Sequence, residues 1–172
     1  MRQNFAEALQ HVLKHEGGFV HHKDDPGGMT NLGCTKAVWE EWCGHPVDEK
    51  VMRNLTPADV APLYKRKYWD KVKGDDLPHG IDYCVFDTAI NSGPGRAIKL
   101  LQGVVGTEQD GDLGPKTLAA VKSFGDKDLL QDYSKRRLSF MMDLKNWPTF
   151  GKGWTDRVKK VETTALSLCS SV

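Results

Sequence analysis

Between Asn4 and Glu16 the apolar residues Phe5, Leu9, Val12 and Leu13 recur at the spacing of one face of an amphipathic helix. The next position on that stripe is Glu16, a carboxylate where an apolar side chain belongs, and Gly17-Gly18 directly after it reads as a helix stop. Further along, Thr35 is suited to cap a helix over 36–43 that Gly44 ends. Thr56-Pro57-Ala58-Asp59 supplies a cap, a proline at the first helical position and an acid in the first turn, for a helix running to about Val72. Apolar periodicity predicts further helices over 81–91, 96–105, 115–124, 128–146 and 154–167, with Gly93-Pro94-Gly95 as a break.

The stretch 19–33 differs. It is crowded with turn formers and too polar for a buried strand pair, so it predicts a short β-hairpin or an irregular loop leaving the first helix. Only 20–33 offers room for a sheet. The expected class is therefore mainly α, an α+β layout in which a helical bundle carries one small β-hairpin. No internal repeat, heptad run or low-complexity linker interrupts it.

Composition narrows the class. With 172 residues, 39% hydrophobic and 27% charged, the chain reads as one ordinary soluble domain with enough length for a core. No stretch approaches the roughly 18 apolar residues of a membrane span, so stable membrane insertion is not expected. The N-terminus leads into an amphipathic helix and shows no apolar signal segment, which predicts a cytoplasmic start. Cys34, Cys43, Cys84 and Cys169 form no Cys-x-x-Cys pair and read as small core residues or free thiols.

Charge is uneven. The net +1 combines eight Lys and Arg against three acids over 134–172 with an excess of four acids before it. Lys135, Arg136, Arg137, Lys152, Arg157, Lys159 and Lys160 suggest either a basic face toward anionic cell wall or lipopolysaccharide, or a plain solvated surface. A pI near 7.7 argues against a nucleic-acid partner. His11 and His15 stand one turn apart without a third ligand, and Asp110-Gly111-Asp112 lacks the calcium-loop ladder and reads as a tight turn; no metal and no cofactor are expected.

The chemistry that remains centres on Glu16. Burial and the negative end of the helix dipole disfavour a charged carboxylate, and a carboxyl kept protonated is what a general acid needs to protonate a glycosidic oxygen. Asp25 and Thr30 follow in the loop, where a chain folding back over the helix end brings a second carboxylate and a hydroxyl toward the first. Taken singly, Glu16 also fits a last-turn residue reaching water, Asp25 a cap of the Pro-Gly turn, and Thr30 a turn hydroxyl. Tyr64, Tyr68 and Trp69 suit sugar stacking or core packing, with Trp69 leaning to core. Asn91 and Ser92 suit hydrogen bonding to an N-acetyl group or simple C-capping.

The run Glu16-Gly17-Gly18-Phe19 followed by Asp25-Pro26-Gly27-Gly28-Met29-Thr30-Asn31-Leu32-Gly33 resembles the signature of glycoside hydrolase family 108, the N-acetylmuramidases of phage endolysins and prophages. Its order of Glu, Asp and Thr is also similar to the catalytic triad of phage-type lysozymes, with one residue fewer between Asp25 and Thr30 than that pattern usually has. Thr56-Pro57-Ala58-Asp59 with 64–70 looks like the family's central helix, and 86–93 resembles its Phe-Asp-x-Ala-x-Asn-x-Gly segment. Residues 101–117, and Phe150-Gly151-Lys152-Gly153-Trp154 with Arg157, are similar to the peptidoglycan-binding segment that closes such chains.

What the resemblance implies is a lysozyme of the endolysin type that hydrolyses the β-1,4 bond between N-acetylmuramic acid and N-acetylglucosamine. It implies catalytic Glu16, Asp25 and Thr30, and substrate contacts from Tyr64, Tyr68, Asn91 and Ser92. It further implies a single domain over 1–172 of the mainly α, α+β lysozyme-like class, with the small β-hairpin flanking the catalytic cleft, a catalytic segment at 8–92 and a peptidoglycan-binding-like segment at 93–165. Peptidoglycan is then the partner, and a holin releases a monomeric enzyme from the host cytoplasm to the periplasmic wall. Two other readings stay open: a lytic transglycosylase, which needs no second carboxylate, and a wall-binding module without catalysis.

Overall fold

A computed structural model describes residues 2–21 and 28–170. In chain order the helices are α1 (Arg2–Glu16), α2 (Lys36–Cys43), α3 (Glu49–Arg53), α4 (Pro57–Tyr64), α5 (Ile81–Ser92), α6 (Pro94–Val105), α7 (Pro115–Ser123), α8 (Asp126–Met142) and α9 (Trp147–Ser170). Three short strands, β1 (Val20–His21), β2 (Met29–Asn31) and β3 (Cys34–Thr35), form an antiparallel sheet in that order. The expected class holds: a mainly helical α+β fold with one small sheet. The chain divides into two compact units, Leu9–Lys67 and Met1–Ala8 with Tyr68–Val172.

In the unit of Leu9–Lys67, local sequence signals act as read. The Thr35 hydroxyl accepts from the Val38 N–H, and Gly44 ends α2 in the left-handed region with its N–H on the Glu40 carbonyl. Thr56 and Asp59 form a reciprocal capping box at α4, with Pro57 in the first turn. The sheet holds one strand more than the expected hairpin. Asn31 pairs with Cys34 across the two-residue turn Leu32-Gly33, whose φ values of 52° and 75° give the type I′ geometry that matches strand twist. Helix α3 was not expected either, since five residues with only Met52 buried carry no readable period.

The helix expected to reach Val72 changes register after Tyr64 and passes into a π turn over Lys65–Trp69. Pro62 lies inside α4, where it lacks the N–H that the regular ladder needs.

In the other unit, α5 is buried on every side from Ile81 to Ala89 and packs against α6, α8 and α9. Phe5, Trp69 and Phe86 meet edge-to-face with ring centroids 5.3–5.8 Å apart, and Trp69 is fully buried, as its core reading proposed. Asp87, buried within α5, meets Arg137 of α8 at 2.8 Å and Arg157 of α9 at 2.9 Å. Two members of the suggested basic face, Arg137 and Arg157, therefore turn inward onto one carboxylate. Lys135, Lys152, Lys159 and Lys160 stay exposed.

Gln102, also buried, donates from Nε2 to the Asp110 carboxylate at 2.8 Å and the Asp112 carbonyl at 2.9 Å. Because the same Asp110 oxygen accepts the Asp112 N–H, the 110–112 segment is a closed turn.

Candidate active site

Glu16 is the last residue of α1. Gly17 follows at φ 79° with its N–H on the Leu13 carbonyl, so the helix ends in a left-handed cap that leaves the Glu16 side chain on the final turn. The side chain is half-buried, as are His15 and Leu13, while Val12 and Leu9 nearer the middle of the stripe are buried. The carboxyl thus stands where the apolar face of α1 opens.

The β2–β3 turn closes over this carboxyl's stem. A methyl group added at Gly33 would lie 2.9 Å from Glu16 Cβ and Cγ and 2.6 Å from the Tyr64 hydroxyl, which means the Gly33 backbone lies directly on the Glu16 methylenes. The Tyr64 hydroxyl donates to the Leu32 carbonyl at 2.7 Å. Leu32 itself sits at φ 52°, a conformation that costs a branched residue about 1–2 kcal/mol. Strain of this kind persists only where surrounding contacts over-determine it, and it concentrates at functional positions. Here the contacts are the Tyr64 bond and the Glu16 stem.

The sheet is held in turn from the other face. Buried Asn31 donates from Nδ2 to the Met52 carbonyl at 2.8 Å and satisfies the open end of α3. Arg53 lies over the Phe19 ring at 4.2 Å, and Glu49 meets both Arg53 and His21, so Phe19 and β1, three to five residues after Glu16, are tied to α3. Cys34, at the start of β3, is buried, and its thiol is pushed up to about 11 by that burial, with Lys67 pulling the other way; it behaves as a packing group.

Of the residues read from sequence, Thr30 lies on β2, half-buried, paired with Val20 on one side and Thr35 on the other. Alternation along the strand puts it on the face opposite Asn31. Asp25 lies outside the described residues. Tyr64 is 2% exposed, which corrects its reading as a sugar-stacking ring: a ring with no free face supports the turn instead. Tyr68 is half-buried, Asn91 is exposed, and Ser92 donates to the Asn91 side-chain oxygen at 3.3 Å at the end of α5. These last three belong to the other unit. Among the described residues no group of three or more His, Cys, Asp or Glu is placed to hold a metal.

Sequence reasoning misses the parts played by Asn31, Leu32 and Gly33. A glycine between two strand-like residues was the available signal, and leucine in the first turn position masked it, because type I′ turns favour Asn-Gly or Asp-Gly.

The family model described as glycosyl hydrolase 108 matches residues 9–93, and that of a predicted peptidoglycan domain matches residues 96–159. Among solved structures, the chain is similar to one described as the structure of Brucella abortus SagA, with 44% sequence identity and a TM-score of 0.86 over 98% of this chain and 97% of that one. No curated protein matches the chain. Together these make it a glycoside hydrolase directed at peptidoglycan, with a lysozyme-like fold, and the chain belongs to glycosyl hydrolase family 108.

Proposed function

We propose that the chain is an N-acetylmuramidase that cleaves the β-1,4 bond between N-acetylmuramic acid and N-acetylglucosamine, with Glu16 as general acid. The observation that carries this reading is the packing of the strained Leu32-Gly33 turn on the Glu16 stem, which restricts the carboxyl to one region at the end of α1. In the reaction the Glu16 carboxyl gives its proton to the glycosidic oxygen, that oxygen leaves with the bonding electrons, and water adds to the exposed anomeric carbon. Asp25 takes the proton from that water or balances the oxocarbenium charge, and Thr30 orients the water. Tyr68, Asn91 and Ser92 contact the sugars. Inversion needs the two carboxyls about 6.5–9.5 Å apart and retention about 5–5.5 Å.

An endolysin role belongs to the same proposal: a monomer waiting in the host cytoplasm and reaching the periplasmic wall through a lesion made by a holin. Its support is the resemblance of 16–33 to the phage and prophage enzymes.

The test is mass spectrometry of borohydride-reduced soluble fragments released from purified peptidoglycan. Reducible muramic acid ends from wild type and none from Glu16→Gln are the expected result. Anhydro-muramic ends would identify a transglycosylase, and no fragments from folded wild type would overturn the enzymatic reading for this substrate.

A further inference from the structure

Between α2, α3 and α4 lies a cavity of about 390 Å³ lined by Trp39, Lys50, Val51, Asn54, Leu55 and Asp59. All six belong to the unit of Leu9–Lys67 that carries Glu16, and the catalytic chemistry uses none of them. Leu55 is buried and the Trp39 indole is half-buried, while Val51 is 40% exposed and leaves apolar surface open on a five-residue helix. The polar groups around this surface are spare. Among the described residues nothing pairs with the Lys50 ammonium or the Asn54 amide, and Asp59 accepts the Thr56 N–H at 2.9 Å on one oxygen and keeps the other.

The cavity is fixed to the catalytic turn through α3. Asn31 donates from Nδ2 to the carbonyl of fully buried Met52 at 2.8 Å, so α3 is bonded to β2 while its Lys50 and Val51 line the cavity. Asn31 leads directly into Leu32-Gly33, the turn on the Glu16 stem. A group held in the cavity is therefore one short helix away from the strand that carries that turn.

We propose that this cavity takes the peptide stem of peptidoglycan and so reads whether a glycan strand carries its peptides; the proposal rests on the reading of the chain as a muramidase. A stem is a short peptide with alanyl methyl groups, free carboxylates and, on its diamino acid, an amine. Trp39, Val51 and Leu55 meet the methyl groups, Lys50 pairs with a carboxylate, Asp59 with the amine, and the Asn54 amide bonds the peptide backbone. A cation and an anion on one cavity suit a ligand that carries both charges. A neutral sugar needs neither, and a phosphate chain or an anionic headgroup would face Asp59 together with Asp48 and Glu49 at the start of α3. The volume is at the lower end for ligand sites, with room for a short peptide and none for a folded partner. The consequence is specificity: the stem adds affinity at residues that never touch the scissile bond, which favours peptide-bearing strands over bare ones.

The test uses the full chain and a synthetic stem peptide of alanine, glutamate and diaminopimelate, free of sugar. Titrated into nitrogen-labelled protein, the peptide is expected to shift the NMR signal of the Trp39 indole N–H, which is recognised by its loss in Trp39→Phe. Lys50→Gln, checked for folding by thermal melt, is expected to weaken this binding roughly tenfold, the loss of one charge-assisted hydrogen bond, and Lys50→Arg to retain it. In turnover, the ratio of kcat/KM on stem-bearing fragments to kcat/KM on strands stripped of peptide by an amidase is expected to fall after Lys50→Gln and after Asn54→Ala. An unmoved Trp39 signal at millimolar peptide would overturn the site, as would an equal shift produced by stripped strands or an unchanged ratio in the folded variants. If wild type turns over neither substrate while the peptide still binds through Lys50, the hydrolase reading fails and this site stands; if wild type cleaves both without preference, the site fails and the hydrolase reading stands.

Discussion

The Tyr64 hydroxyl donates to the carbonyl of Leu32 at 2.7 Å, and Leu32 is one of two described non-glycine residues at positive φ. The bond is what a left-handed leucine needs to persist, and the turn it holds rests on the stem of Glu16. Tyr64→Phe keeps the buried ring and removes only this donor. The expected result is a stability loss of about 0.5–1.5 kcal/mol by urea denaturation, with a fall in kcat larger than any rise in KM on soluble peptidoglycan fragments. An unchanged kcat would show that the turn does not position Glu16.

Gly33→Ala is the sharper perturbation. At φ 75° alanine pays the left-handed cost, and its methyl meets Glu16 and Tyr64 closer than van der Waals contact permits. We expect a loss of about 2–4 kcal/mol and at least a hundredfold drop in kcat/KM with the Glu16 carboxyl chemically intact. Wild-type activity in Gly33→Ala would mean that the turn yields without disturbing the acid.

Asp87 predicts an acid limb in stability. Burial alone would raise its pKa, but the Arg137 and Arg157 guanidiniums outweigh it and hold the carboxyl below the ordinary range. Because the folded value is depressed, the unfolded chain takes up the proton first. The contribution is complete above the usual Asp value of about 3.9 and drains as pH falls through the lower folded value. Arg137 makes its 2.8 Å contact out of hydrogen-bond alignment and is 1% exposed, so removing the carboxylate strands a buried cation. Asp87→Asn is expected to cost about 3–5 kcal/mol at pH 7 and to flatten the fall in Tm between roughly pH 4 and pH 2. Melts of both proteins across that range check it.

At Thr56 the effect is local. Thr56→Ala removes the acceptor for the Asp59 N–H and is expected to cost about 1 kcal/mol in a denaturant melt, without changing kcat. A loss above about 3 kcal/mol would mean that the cap also governs tertiary packing.

The positions where sequence and structure part company share a cause. Helix α9 starts at Trp147 and not at 154: Gly151 and Gly153 are poor helix formers and point to the later start, yet the Trp147 indole packs on Gly151's bare backbone and the helix runs through both. Tyr64 reads equally well as a stacking or a packing ring until the carbonyl of Leu32 is seen to accept its hydroxyl proton. Arg137 and Arg157 look like two more cations on a basic helix surface until α5 brings Asp87 between them.

By itself the sequence determined the helical class, the close of α1, both ends of α2, the start of α4, and the place of Glu16 at the close of an apolar stripe. Those features rest on caps, prolines, glycines and periodicity, all of which act within a few residues. Only the tertiary structure decided the strained turn on the Glu16 stem, the burial of Tyr64 and the inward-facing arginines. Each depends on a partner 17 to 70 positions away in the chain, and local preference carries no term for a partner that folding alone brings near.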